Sequence, residues 1–293
     1  MTAPVEAWRR RGRYLPLLGH EIFTLDLPCT GEQTGPPLLL LHGFPTCSFD
    51  WRHTVDTWTR QRRVLALDFL GFGLSAKPDE PYRLTEQADL AQAFVEHAGA
   101  GTVDLLSHDM GDTIGGELLA RANDGTLPFE VRRRVLTNGS IYIAMADLRD
   151  AQQFLLALPD EKLDASLGRE LFDTGFPEIF GPQTQPDQEE LDAQWELLSR
   201  GEGDQLLPRT IRYIEQRRAH EERWTGAIET HPAPLRIIWG TEDPVAVLPM
   251  AHRLGQAVAR ADLHLLEGIG HFPMIEAPER FTALVDEFLT GPV

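Results

Sequence analysis

Short apolar runs without polar interruption mark the first half of the chain. Leu38–Leu41 and Val64–Leu67 contain no alternation, the pattern of strands covered on both faces of a parallel sheet. Residues 21–27 alternate loosely and predict an edge strand, followed by a loop over 28–37. A helix is expected over 46–61. Another is expected over 85–98, where Leu90, Ala91, Phe94 and Val95 share a face and Thr85 offers a cap. Residues 102–106 predict a strand that runs through Ser107-His108-Asp109 into a helix over 110–122, and 134–138 predicts the next strand.

After Ser140 the rhythm changes. Residues 141–231 hold helical segments broken by Gly and Pro, and no strand-like run. Strands resume at Leu235–Gly240 and Asp262–Leu266, and a helix over 278–289 closes the chain. Alternating strands and helices imply an α/β fold with a mostly parallel, doubly wound sheet. The expected division is a core of residues 1–140 and 232–293 with a helical cap over 141–231.

Composition changes this picture little: of 293 residues, 42% are hydrophobic and 25% charged, ordinary for a globular chain. The net charge of −18 argues against nucleic acid or an anionic membrane surface as partner. Two cysteines, Cys29 and Cys47, build neither a disulfide framework nor a zinc-spaced cluster, which points to a reducing, cytoplasmic setting. Arginines near the N-terminus precede no apolar segment of the signal-peptide kind, and no run approaches the ~20 residues of a membrane span. Gly71-Phe72-Gly73 lacks the third glycine of a dinucleotide loop and reads as a tight turn.

Sites in open α/β sheets assemble at the carboxyl ends of strands. Asp109, Asp243 and His271 all fall there, in the order nucleophile, acid, histidine of an α/β-hydrolase triad, with an acid where a serine usually stands. Glu242 is an alternative supporting acid. Ser107 lies two residues before the elbow tip and reads as a packing residue, and His108 reads as packed or as part of the pocket.

His42-Gly43-Phe44-Pro45-Thr46, Asp68-Phe69-Leu70-Gly71-Phe72-Gly73, Leu106-Ser107-His108-Asp109 and Tyr213-Ile214-Glu215-Gln216-Arg217 make the chain resemble, over essentially its full length, the α/β-hydrolase-fold superfamily of epoxide hydrolases and haloalkane dehalogenases. The resemblance is greatest to the mesoderm-specific transcript branch. It implies an eight-stranded sheet with a helical cap, Asp109 as nucleophile toward carbon, and His271 as base supported by Asp243. It also implies the amides of Phe44 and Met110 as oxyanion hole and a cis bond before Pro45.

Dehalogenases hold halide with N–H donors at the positions of Met110 and Phe44, whose side chains have none, and neither Met110 nor Ile114 is an arginine that would hold a substrate carboxylate. Epoxide hydrolases donate from cap tyrosines. Tyr213 stands where one is expected, as donor or as packing residue, and Phe154, Phe172, Phe176 and Phe180 occupy the region of the second. His42, Pro45, Trp51, His108, Trp195, Trp224 and Phe272, beside Met110, are expected to line an apolar pocket for a small, uncharged, lipophilic substrate and water. The expected protein is a monomer or homodimer that uses no cofactor and no metal. Haloalkane dehalogenase and a non-catalytic small-ligand receptor are the alternative readings.

Overall fold

The computed structural model describes residues 1–291. Strands β1 (Arg13–Leu17), β2 (His20–Leu27), β3 (Leu38–Leu41), β4 (Val64–Leu67), β5 (Thr102–His108), β6 (Glu130–Thr137), β7 (Leu235–Gly240) and β8 (Asp262–Leu266) form one sheet. Their order is β1-β2-β4-β3-β5-β6-β7-β8. The β1–β2 and β2–β4 pairings are antiparallel and all others parallel.

The leucine run of β3 divides between the two faces as strand geometry demands. Leu39 and Leu41 join one buried cluster, Leu38 and Leu40 the other, and all four are fully buried. Helices α1 (Ala3–Arg9), α2 (Val55–Trp58), α3 (Leu84–His97) and α4 (Met110–Asn123) belong to the first half.

Two local expectations are corrected, and one strand lies where none was expected. Strand β1 contains Pro16, and at the sheet edge its missing N–H costs no ladder bond. The helix expected over 46–61 is instead a 3-10 turn, Ser48–His53, followed by the short α2. Polar side chains divert the backbone there: the Ser48 amide donates to Asp68 Oδ1 at 2.9 Å and the Thr46 hydroxyl to Asp50 Oδ2 at 2.5 Å. Thr85 caps nothing, since α3 begins at Leu84, whose amide donates to Gln216 Oε1 at 2.8 Å.

Between β6 and β7 the described residues contain only helical elements. These are 3-10 turns at Ile143–Met145, Pro177–Ile179 and Arg200–Leu206, and helices α5 (Asp150–Ala157), α6 (Arg169–Gly175), α7 (Gln188–Ser199), α8 (Leu207–Thr210) and α9 (Tyr213–Thr230). Helix α9 lies directly on α4: Trp224 Nε1 donates to Glu117 at 2.8 Å and Arg217 Nε to Thr113 at 2.7 Å. Helices α10 (Leu248–Ala257), α11 (Pro273–Glu276) and α12 (Pro278–Thr290) complete the chain, and none of the helices is long and apolar enough to cross a membrane.

Candidate active site

Asp109 ends β5 and precedes α4 with φ 49° and ψ −111°, a conformation that non-glycine residues rarely adopt. Small neighbours allow it. A side chain at Gly43 would reach within 2.8 Å of Asp109 Cβ, and one at Gly111 would strike the Leu41 carbonyl.

The Asp109 carboxylate is nearly buried, and its two oxygens differ. Oδ2 accepts the Phe44 amide at 2.9 Å, while Oδ1 has no hydrogen-bond partner. The Phe44–Pro45 bond is cis, as the resemblance implies. Met110 is buried as the first residue of α4.

His271 lies in the loop between β8 and α11, with Nδ1 2.7 Å from Asp243 Oδ2. Asp243 is fixed by three further donors: the Val245 and Ala246 amides on Oδ1 at 2.8 and 3.0 Å, and Asn138 Nδ2 on Oδ2 at 2.7 Å. Burial pushes the imidazole pKa down, but the charge and hydrogen bond of Asp243, then the charges of Asp109 and Glu276, more than offset it and hold His271 at about 9. Glu242 does not take the place of Asp243; its carboxyl accepts the neighbouring Thr241 hydroxyl at 3.4 Å.

Asp109 and His271 open onto one cavity of about 150 Å³, walled by Phe44, Pro45 and apolar side chains of the insert such as Leu155, Phe172, Phe176 and Trp195. The expected pocket residues Pro45 and Trp195 are in this wall. His42, Trp51, His108, Trp224 and Phe272 are not, and each has a structural reason. His42 is a neutral tautomer with Nδ1–H donating to the Gly43 carbonyl at 2.8 Å and Nε2 accepting the Phe69 amide at 2.9 Å. Burial holds its pKa down to about 3. His108 Nε2 donates to the His271 carbonyl at 2.8 Å, and burial keeps it neutral. Trp51 stacks on Phe281, Trp224 is spent on Glu117, and Phe272 packs among Phe176, Phe180 and His271.

Tyr213 also lies outside the wall. Its ring sits 5.3 Å from that of Phe44, and burial, then the Asp109 charge, pushes its phenol pKa far up. Ser107 donates to the buried Asp112, whose pKa burial pushes well up, so the serine is a packing residue. No group of three or more His, Cys, Asp or Glu among the described residues is arranged to hold a metal ion.

Three positioning groups carry no signal in the sequence pattern. Asn138 joins β6 to Asp243. Glu276 accepts the Gly270 and Phe272 amides at 2.8 and 2.9 Å, clamping the backbone on both sides of His271. Arg217 is buried with its guanidinium on Thr113 Oγ1 (2.7 Å), the Ser140 carbonyl (2.9 Å) and the Asp109 carbonyl (3.3 Å), and 3.8 Å from Asp109 Oδ1. Arg217 stands in the motif that carried the resemblance, but one helical turn from Tyr213 nothing in the sequence says which side chain turns inward.

Comparison with known proteins agrees with this architecture. A protein named as a hydrolase, LipZ of Mycobacterium tuberculosis, is 41% identical over 96% of both chains. The mesoderm-specific transcript homolog protein of Bos taurus is 32% identical over 96% of this chain and 86% of its own. The crystal structure of an alpha/beta hydrolase fold protein from Burkholderia ambifaria superposes with a TM-score of 0.73 at 25% identity, over 93% of this chain and 96% of that one. The sequence signature of the alpha/beta hydrolase family matches residues 38–284, and the chain belongs to that family.

Proposed function

We propose that the protein is a hydrolase that opens an epoxide to a vicinal diol through an ester on Asp109, with residues 141–231 as a cap over the strand ends. The observation that carries this reading is the asymmetric Asp109 carboxylate, with one oxygen held by the Phe44 amide and the other free of hydrogen bonds, 3.8 Å from the Arg217 guanidinium, at a cavity shared with His271. A carboxylate attacks saturated carbon, and the apolar wall favours a small, uncharged, lipophilic substrate.

In the first step Asp109 Oδ1 bonds to a ring carbon as the carbon–oxygen bond breaks, and the departing oxygen takes a proton. Tyr213 stands outside the wall, whereas His271, held at about 9, carries a proton at neutral pH. His271 is therefore the donor. Esterification removes the Asp109 charge, one of the causes that hold the imidazole high after the charge and hydrogen bond of Asp243, and so favours the neutral form that the second step uses.

Water then attacks the ester carbonyl and returns a proton to His271, while the Phe44 and Met110 amides receive the charge on Oδ2, each donor worth about 3–4 kcal/mol. Asp243 keeps the ring oriented throughout. The tetrahedral centre then breaks its Cγ–Oδ1 bond and the departing alkoxide takes the remaining proton of the water, so that diol, free Asp109 carboxylate and protonated His271 result, and no cofactor enters.

A single turnover in heavy-oxygen water, with enzyme in excess over a terminal epoxide, tests the scheme. Label is expected in the Asp109 peptide and not in the diol. Label in the diol alone would mean direct attack by water, and halide release from bromoalkanes without epoxide turnover would identify a dehalogenase.

A further inference from the structure

The cavity wall contains three carboxyl groups, and two have evident partners or roles. Asp109 belongs to the elbow. Glu178 stands at the exposed rim, 3.5 Å from Arg149. Asp204 is different. It sits in the 3-10 turn Arg200–Leu206, is only 3% exposed, and has no partner for Oδ2. No ion pair or hydrogen bond reaches its carboxyl among the described residues.

The placement of Asp204 is imposed by the backbone. Gly201 and Glu202 both take positive φ, 61° and 62°, turning the chain between α7 and α8. The neighbouring Lys77 does not neutralise it: its stem packs on Gly203 and its ammonium donates to the Gly73 carbonyl. The wall that Asp204 shares is largely apolar, with Leu155, Trp195, Leu198 and Leu207, and its other polar side chains are those of Arg149, Gln152, Glu178, Asp109 and His271. A buried carboxyl left without a partner is costly, and native structures satisfy such groups with water, an ion or a ligand.

We propose that Asp204 is the polar recognition point of the substrate cavity, accepting a hydrogen bond from a hydroxyl or protonated amine on the substrate at a distance from the reacting carbon. The inference rests on the reading that the Asp109 cavity is the active site, and it sharpens the substrate class to an apolar skeleton with one hydrogen-bond donor. A purely hydrocarbon ligand would leave the carboxyl unsatisfied. A matched donor replaces that loss by a charge-assisted bond.

Product-like probes separate this inference from the reaction itself, because they bind without turnover. Calorimetry would compare linear 1,2-diols of four to eight carbons with the same diols bearing a terminal hydroxyl or terminal amine. At the chain length that spans the cavity, the wild-type protein is expected to bind the hydroxyl or amine probe about 10-fold or more tightly than the plain diol. Asp204→Leu is expected to abolish or invert that preference. Asp204→Asn is expected to keep the hydroxyl preference and lose the amine preference, which provides a test if the leucine variant does not fold.

Equal binding of plain and donor-bearing diols at every chain length would overturn the proposal and leave water as the partner of Asp204. Persistence of the preference in Asp204→Leu would overturn it as well. Failure to label Asp109 in heavy-oxygen water would sink the ester mechanism while leaving the Asp204 result intact.

Discussion

At the scale of single residues, the site works by making chemically similar groups unequal. Asp109 and Asp243 are both buried carboxylates, but Asp243 is saturated by donors while Asp109 keeps one oxygen free of hydrogen bonds, with Arg217 3.8 Å away. In the proposed reaction the first is the nucleophile and the second a fixed counter-charge for the histidine. In the proposed scheme His271, protonated below about 9, is the donor in the alkylation step, so pre-steady-state ester formation should be flat with pH and fall as pH rises through that value. Tyr213→Phe should leave that profile in place. A profile that instead collapsed in the phenylalanine variant would return the donor role to the tyrosine.

Arg217 belongs to the same scale. It ties α9 to the elbow through the Asp109 carbonyl, so Arg217→Lys, which keeps charge but loses the planar fork, should lower kcat about 10- to 100-fold by misplacing the nucleophile. KM is expected to change little, since Arg217 does not touch the cavity. Steady-state kinetics that showed a KM effect alone would contradict a positioning role. Asp109, Asp243 and His271 were readable as candidates because each lies in the loop or turn that follows a strand. Arg217, Asn138 and Glu276 were not, since their partners are 108, 105 and 6 residues away and share no pattern with them.

At the scale of elements, continuous apolar runs were the most informative feature. Leu38–Leu41 and Val64–Leu67 were readable as buried strands because a two-residue period with both faces covered leaves no polar position. Leu40→Ala in the fully buried β3 should cost about 2–5 kcal/mol, whereas Leu18→Ala at the 59% exposed hairpin turn should change stability by less than about 0.5 kcal/mol. Urea midpoints with unchanged slope would measure both. The segment over 46–61 shows where propensity fails: its polar side chains are committed to Asp68, Asp50 and the Trp51 carbonyl, contacts invisible in local sequence. The hairpin strand β1 was hidden for the opposite reason, since Pro16 is forbidden in a central strand and harmless at an edge.

At the scale of the molecule, the helices between β6 and β7 are held to the segment after β3 by buried and part-buried polar contacts. Gln194 donates to Asp50 at 2.9 Å, and Arg52 pairs with Glu190. Burial pushes Asp50 from its ordinary 3.8 up to about 6, although Thr46, Gln194 and Arg52 pull it down. A folded value above the unfolded one means that the contribution of Asp50 to stability is complete below pH about 4 and is lost as pH rises through about 6. A difference of that size is worth about 3 kcal/mol. Asp50→Asn should therefore match wild type below pH about 4 and become progressively more stable than it between pH about 4 and 6. Thermal unfolding of both proteins across that range would check it; a constant gap in Tm would mean that Asp50 ionises without cost.

The sequence by itself determined seven of the eight strands in their succession along the chain, the elbow, and the three candidate residues in the turns after its strands, because hydrophobic period and turn position are local properties. The family membership followed from motifs of the same local kind. Only the tertiary structure decided which side chains share the cavity. Aromatic residues at Trp51, Trp224 and Phe272 are indistinguishable in sequence from Trp195, yet packing places only Trp195 in the wall. It also decided that one Asp109 oxygen is held by a hydrogen bond and the other is not, and that Asp204 is buried without a hydrogen-bond partner for Oδ2. Those outcomes depend on groups distant in the chain meeting in space, which no local pattern encodes.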